Sequence, residues 1–155
     1  MTERRAEKTT GAPGALAWRT HFFQRHRADD RNQRAPARDF LLACPTAVRA
    51  KLVAVIKAVA DAPPPRFSGG GKWEAMHDEM GGFYEIRVDG PQRRHYRLFC
   101  LLERDGASLG LGGPSLVVIT GMDKTFRTAF SKRDYRLVRS LRQEYLGRNP
   151  RSVGT

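Results

Sequence analysis

The segment GGFYEIRVDGPQRRHYRLF, residues 81–99, decides the fold class because it predicts a β-hairpin. Apolar Tyr84, Ile86 and Val88 alternate with charged residues, and the alternation resumes after a turn, a pattern typical of paired strands. We predict strands over about 83–88 and 95–103. Apolar residues must oppose apolar residues, so the polar residues of both strands share one face. These residues are Glu85, Arg87, His95 and Arg97.

Two registers of this hairpin remain open. In one, Glu85 faces Arg97 as an exposed ion pair worth about 0.2–1 kcal/mol. In the other, Arg87 faces Arg97, and two like charges are tolerated mainly when an anion lies between them. The polar face is therefore either an ordinary cross-strand ion pair or a binding site for an anion.

The chain before the hairpin predicts one strand and two helices. A first strand is expected within residues 18–25 and a short helix over 37–43, before Pro45. A longer helix over about 46–60 follows, which Thr46 is expected to cap, and Pro63 marks its end. Its apolar residues recur on one stripe, namely Val48, Leu52, Val55, Ile56 and Val59. Residues 66–72 are expected to form a flexible connector.

The chain after the hairpin predicts a buried strand, a polar loop and a last helix. LVVIT, residues 116–120, is nearly all apolar, as expected for a central strand that is covered on both faces. The loop over 121–131 carries Lys124 and Arg127, and loops that follow rigid strands often hold functional groups. Ser131 is expected to cap a helix to about Leu146, with Tyr135 in its apolar stripe. The loop should lie beside the hairpin, since sequential strands are commonly neighbours.

These elements predict an α+β domain over residues 17–147. Its sheet should be small and mostly antiparallel, with the N-terminal helices and the C-terminal helix packed against one face. The other face would then be open to a ligand. Residues 1–16 are expected to be a disordered basic leader, and residues 148–155 a flexible tail.

The charge of the chain favours a polyanionic partner. The 155 residues include 28 Lys and Arg against 16 Asp and Glu, a formal net charge of +12. RNA, DNA, the ribosome or an anionic membrane would each match this excess. Cys44 and Cys100 are too few for a disulfide framework or a four-cysteine zinc site, and we expect neither a metal nor a cofactor. No stretch predicts a signal peptide or a membrane span, so a cytoplasmic protein is expected.

Three short motifs in this order resemble the RelE/ParE toxin superfamily, in particular its HigB-like, phage-related branch. That branch shows an apolar-Glu-Leu-Arg strand, a Tyr-Arg strand and a Lys-Lys-Thr-x-Lys-Thr-Pro loop. Glu85-Ile86-Arg87 resembles the first motif and Tyr96-Arg97 the second. The segment DKTFRTA, residues 123–129, resembles the third, with Asp123 in place of the first lysine. The resemblance covers about residues 18–146 and implies a RelE-like fold.

The resemblance implies the toxin of a type II toxin–antitoxin system, bound by a cognate antitoxin protein. Toxins of the RelE and HigB type cut mRNA on the ribosome, where the ribose 2′-OH attacks the adjacent phosphate. For such an endoribonuclease, Arg97 would clamp the phosphate, and Glu85 or His95 would transfer protons. The substrate would be contacted by Arg87, Tyr96, Lys124 and Arg127. mRNA and the ribosome are then the expected partners, with no membrane partner.

Two other functions stay open at this stage. ParE-like members of the superfamily inhibit DNA gyrase without cutting RNA. The chain is alternatively an inactive, basic RNA-binding remnant of the family, for which Asp123 in the third motif leaves room.

Overall fold

A computed structural model of the chain describes residues 16–63 and 71–154. Most of the expected leader, and most of the expected connector at 66–72, lie outside the described residues. Within the described part, five strands and three α-helices follow one another: β1 (Arg19–Phe22), α1 (Pro36–Ala43), α2 (Thr46–Asp61), β2 (Trp73–Ala75), β3 (Tyr84–Gly90), β4 (Arg94–Glu103), β5 (Ser115–Thr125) and α3 (Lys132–Leu146). The predicted α+β class is confirmed.

The strands form one sheet in the order β1-β5-β4-β3-β2. β1 runs parallel to β5, and the other neighbours are antiparallel. In the β3–β4 hairpin Ile86 faces Leu98, so the predicted apolar pairing is confirmed. Arg87 faces Arg97, which is the register that places like charges opposite each other.

Helices cover both faces of the sheet, and the prediction that all of them pack on one face is wrong. α1 and α2 bury Ile86 and Leu98 on one side. On the other side α3 buries Phe99 and Ile119 through residues that include Val138. The inner strands are apolar on both sides here, since Leu98 and Phe99 are adjacent in sequence, and both faces therefore need cover. α3 covers only half of this second sheet face, and the half that carries Arg87 and Lys124 stays open.

β5 is longer than the predicted strand and includes the start of the predicted loop. It continues to Thr125, so Lys124 lies on a strand, paired with His95. Gly121 was predicted to begin the loop, but it lies inside β5, and a β-carbon on this residue would clash with the Phe40 ring. The absence of a side chain at Gly121 therefore allows α1 to pack closely on the sheet, and β5 continues without a break.

The predicted helix starts differ in outcome. Ser131 caps α3 as expected: its hydroxyl accepts a hydrogen bond from the Asp134 N–H at 3.0 Å, and the Asp134 carboxylate accepts one from the Ser131 N–H at 2.8 Å. α2 has no such cap, because Pro45 holds the capping position and no side chain bonds there. Thr46 is already the first helical residue, so its predicted capping role is wrong.

The last described residues, 148–154, pack against the end of β1 and against β4. Phe23, which follows β1, forms an antiparallel bridge with Val153, and the Gly154 N–H donates to the Phe22 carbonyl at 2.8 Å. The Arg151 guanidinium contacts the Glu103 carboxylate of β4 at 3.2 Å. The expectation of a flexible tail over 148–155 stays a prediction. No helix in the described ranges is long and apolar enough to cross a membrane.

Candidate functional site

Four charged residues from three adjacent strands meet on the open half of the sheet face that α3 partly covers. Glu85 and Arg87 come from β3, Arg97 from β4 and Lys124 from β5. Alternate residues of a strand share a face, and the pairs Arg87–Arg97 and His95–Lys124 bring these side chains together across the sheet. We call Glu85, Arg87, Arg97 and Lys124 the charged cluster.

The Glu85 carboxylate lies between the two facing arginines. Its oxygens are 3.6 Å from Arg87 Nε and 3.7 Å from Arg97 Nε. Glu74 on β2 forms a shorter pair with Arg87, at 2.7 Å. Arg97 is only 6% exposed, and its Nη1 donates to the Tyr96 carbonyl at 3.2 Å. The intervening anion that this register needs is therefore supplied by the protein itself.

The protonation equilibria of the cluster show that burial outweighs the attraction between its charges. Burial raises the pKa of the Glu85 carboxyl, although Arg97 and Arg87 act in the opposite direction. Burial also lowers the pKa of the Arg97 guanidinium, against the effect of Glu85. The pKa of Lys124 is lowered by burial and then by the positive charge of Arg97. Three cations face two carboxylates, Glu85 and Glu74, so the partly buried surface keeps an excess of positive charge that suits an anion.

His95 borders the cluster in a fixed orientation. Its Nδ1 contacts the Asp89 carboxylate at 2.5 Å, and its ring stacks on Phe126 at 4.2 Å between centroids. Arg93 lies over the same Phe126 ring at 5.5 Å. Because Asp89 occupies Nδ1, the Nε2 atom is the one left to exchange a proton with a ligand.

Two of the predicted site residues do not join the cluster. Tyr96 points to the opposite face, where it is 5% exposed and its ring lies 6.3 Å from that of Phe40. Its neighbour Arg97 faces the cluster, and successive strand residues point to opposite faces, so the predicted substrate contact of Tyr96 is not retained. Arg127 follows β5 in an exposed turn with a φ of 66°, and no contact within the described residues joins it to the cluster.

Tyr135 at the start of α3 is a site residue that the sequence did not single out. Its ring packs edge-on against Phe99 at 6.2 Å. Burial and then the charge of Glu85 raise the pKa of its hydroxyl, while Arg97 lowers it, so the phenol lies within electrostatic range of the cluster. Its helical spacing predicted a core residue, and only the choice of tyrosine over phenylalanine hinted at a polar neighbour.

A groove of about 930 Å³ opens beside the cluster at the edge of β3. Arg87, His95 and Arg97 line one wall, and residues of α2 line the other. In the described part of the chain no group of three or more His, Cys, Asp or Glu side chains is placed to hold a metal ion. Cys44 and Cys100 are free thiols, both buried.

Comparisons with known proteins give a distant structural likeness. No family model matches the chain, and no curated protein matches it. Among solved structures, a chain of the toxin–antitoxin complex RelBE2 from Mycobacterium tuberculosis superposes with a TM-score of 0.46 at 13% sequence identity. The match covers 73% of this chain and 98% of that one. A likeness this distant leaves the function to be inferred from the residues.

Proposed function

We propose that the protein is an endoribonuclease toxin of the RelE/ParE superfamily, from its HigB-like branch, that cleaves mRNA on the ribosome. The observation that carries the proposal is that each of the three motifs contributes a charged residue to one place. Glu85 and Arg87, Arg97, and Lys124 come from three adjacent strands and form the charged cluster, beside a histidine held by a carboxylate.

Arg97 is the centre of phosphate binding in this proposal. A guanidinium offers paired N–H donors that match a phosphate and stays charged at all working pH values. Arg97 is buried and held by the Tyr96 carbonyl, so it needs little reorganisation when charge develops on the phosphate. Arg87 and Lys124 add positive charge on either side, from the neighbouring strands.

Glu85 and His95 divide the proton transfers. Glu85 takes the proton of the ribose 2′-OH, whose oxygen then attacks the adjacent phosphorus atom. Breaking the bond from phosphorus to the 5′ oxygen leaves a 2′,3′-cyclic phosphate, and His95 Nε2 donates a proton to the departing 5′ oxygen. A carboxyl with a raised pKa suits the role of base, because its basicity is stronger than that of an exposed glutamate. Asp89 holds the imidazole ring in place through its Nδ1.

The remaining partners follow from the same proposal. A net charge of +12 favours association with ribosomal and messenger RNA through phosphate contacts. A cognate antitoxin protein would neutralise the toxin, and the cytoplasm is where these partners meet. Tyr135 borders the bound phosphate and orients it through its hydroxyl group.

Controlled expression in a bacterial host, followed by mapping of transcript 5′ ends, tests the proposal. We expect growth arrest and new 5′ ends within translated messages for the wild type. Arg97→Ala should abolish both, while Arg31→Ala, which removes an exposed arginine outside the cluster, should leave both intact.

Three outcomes would contradict the proposal. Intact transcripts with a DNA-damage response would indicate a gyrase inhibitor. Soluble wild-type protein with no growth phenotype would indicate an inactive RNA-binding remnant. Undiminished cleavage by Arg97→Ala would remove Arg97 from the mechanism.

A further inference from the structure

The groove beside the charged cluster exists because β2 is short. β2 pairs with β3 through three residues, Trp73–Ala75, and the Arg87 N–H then bonds to the Lys72 carbonyl at 3.0 Å. Beyond Arg87, none of the described strands pairs with this side of β3. α2 passes below the exposed strand edge, and the space between helix and edge forms the groove of about 930 Å³.

The lining of the groove suits a polyanion. Lys51 from α2 and Lys72 from the end of β2 join Arg87 and Arg97, against Asp89 as the one carboxylate among the lining side chains of the described chain. None of the salt bridges in the described residues involves Lys51 or Lys72. Two cations in the groove are thus left for a ligand.

The floor of the groove suits a flat, partly apolar group. Ala54 and Ala58 lie one turn apart on the exposed side of α2, and Val55 is buried beside them. Their small side chains leave room above the helix. Ligand sites commonly measure about 300–1,000 Å³, so this volume reaches the upper end of that range. The groove is large enough for a short stretch of single strand and too small for a duplex.

We propose that this groove binds the segment of single-stranded RNA adjacent to the phosphate held by Arg97. The inference rests on the proposed function, and it names the path of the substrate. Arg87 and Arg97 line both the cluster and the groove, so a strand with one phosphate on Arg97 continues into the groove without a break. Lys51 and Lys72 bind its neighbouring phosphates, and a base lies on Ala54 and Ala58.

Binding of an RNA probe over a range of salt concentrations tests the proposal. The probe is a fluorescein-labelled, 2′-O-methylated hexauridylate, which cannot be cleaved through a 2′-OH, and the readout is anisotropy with the full-length protein. Each phosphate contact to a single strand contributes about 0.7 to the slope of log affinity against log salt. Lys51→Ala/Lys72→Ala should lower the slope by about 1.4, and weaken binding about 25-fold at 0.1 M salt.

A matched control removes the same charge elsewhere. Lys57 lies on α2 and pairs with Asp61 at 2.8 Å, but it is not part of the groove lining. Arg31 is exposed in the loop between β1 and α1 and does not line the groove either. Lys57→Ala/Arg31→Ala should keep both the slope and at least about half of the affinity, because salt largely screens the attraction between the RNA and charges that do not line the groove. Ala54→Trp fills the groove without altering charge, and should weaken binding while leaving the slope nearly unchanged. Circular dichroism and thermal unfolding establish that each variant is folded.

The outcomes separate this inference from the proposed function. A groove variant that binds like the control variant overturns the RNA path, even if the wild type cleaves mRNA. Tighter binding of a fluorescein-labelled hexaglutamate than of the RNA probe, with competition between them, also overturns it and indicates an acidic peptide instead. Loss of RNA binding in the groove variants supports the path even if no cleavage is found in cells.

Discussion

Replacing Arg97 with methionine changes the stability of the protein in a way that follows from its pairing with Glu85. Methionine has an unbranched side chain like the aliphatic part of arginine, so the main change is the loss of the positive charge. The Arg97 side chain is 7% exposed and that of Glu85 is 14% exposed, so both charges are largely withdrawn from water. Breaking such a pair costs about 3–5 kcal/mol. Because Glu85 keeps Arg87 at 3.6 Å, we expect the lower end, about 3 kcal/mol of unfolding free energy.

A second substitution, Glu85→Gln, should recover much of that loss. Burial already raises the pKa of Glu85 in the wild type, which means that its charged form is disfavoured by the fold. Once Arg97 is replaced, the buried Glu85 carboxylate without this partner is the main source of instability. We expect Arg97→Met/Glu85→Gln to be about 2 kcal/mol more stable than Arg97→Met alone, because it removes the buried charge that lost Arg97 as its partner.

Stability and activity should respond differently to the same pair of changes. Removing a preorganised group that stabilises transition-state charge lowers the rate by about 10²–10³. We expect a loss of that size in cleavage of ribosome-bound mRNA for Arg97→Met. The double variant should be at least as inactive as Arg97→Met, because it lacks both the charge at the phosphate and the proposed base, even though its fold is more stable.

Urea unfolding monitored by circular dichroism measures the free energy of unfolding of each variant. Arg31→Met is the matched control. Single-turnover cleavage measures the activity. A double variant as unstable as Arg97→Met would refute the electrostatic reasoning. Wild-type cleavage by Arg97→Met would refute the assignment of the phosphate clamp.

Three further changes test other parts of the structure. The proposed base Glu85 must be ionised, so the cleavage rate should fall as the pH drops through its pKa, which is raised above the ordinary value of 4.5. In pH–rate profiles, Glu85→Gln should lack this fall in rate at low pH. Ser131→Ala removes the cap that holds the Asp134 N–H and should lower the unfolding free energy by about 1 kcal/mol, so an unchanged urea midpoint would contradict the capping geometry. Gly121→Ala places a β-carbon against the Phe40 ring and should cost about 1–3 kcal/mol in the same assay, whereas a neutral effect would mean that α1 shifts freely on the sheet.

Elements with strong local signals were predicted well. The five-residue apolar stripe of α2 is buried in the structure, and Ser131 caps α3, because helical spacing and capping are properties of neighbouring residues. The alternation of the hairpin placed Glu85, Arg87 and Arg97 on one face for the same reason. The bounds of α2 differ from the prediction by one residue, Asp61, at its end.

Predictions failed where distant parts of the chain decide the outcome. Residue 121 was predicted to begin a loop, yet it lies inside β5, where the glycine lets Phe40 of α1 pack closely on the strand. Tyr135 has the spacing of a core residue, and only the packing of α3 on Phe99 brings its hydroxyl near Glu85. The contacts of residues 153 and 154 with Phe22 and Phe23 likewise join parts of the chain that are far apart in sequence, and no local pattern indicates them.

The sequence by itself determined the class of the fold, the faces of the hairpin and the positive charge that a polyanion would meet. These follow from local periodicity and composition, which do not depend on the rest of the chain. The tertiary structure alone decided that Arg87 faces Arg97, that Glu85 lies between them, and that α3 leaves this half of the sheet open. Register and helix placement result from contacts between residues far apart in the chain, and for that reason no short motif could have specified them.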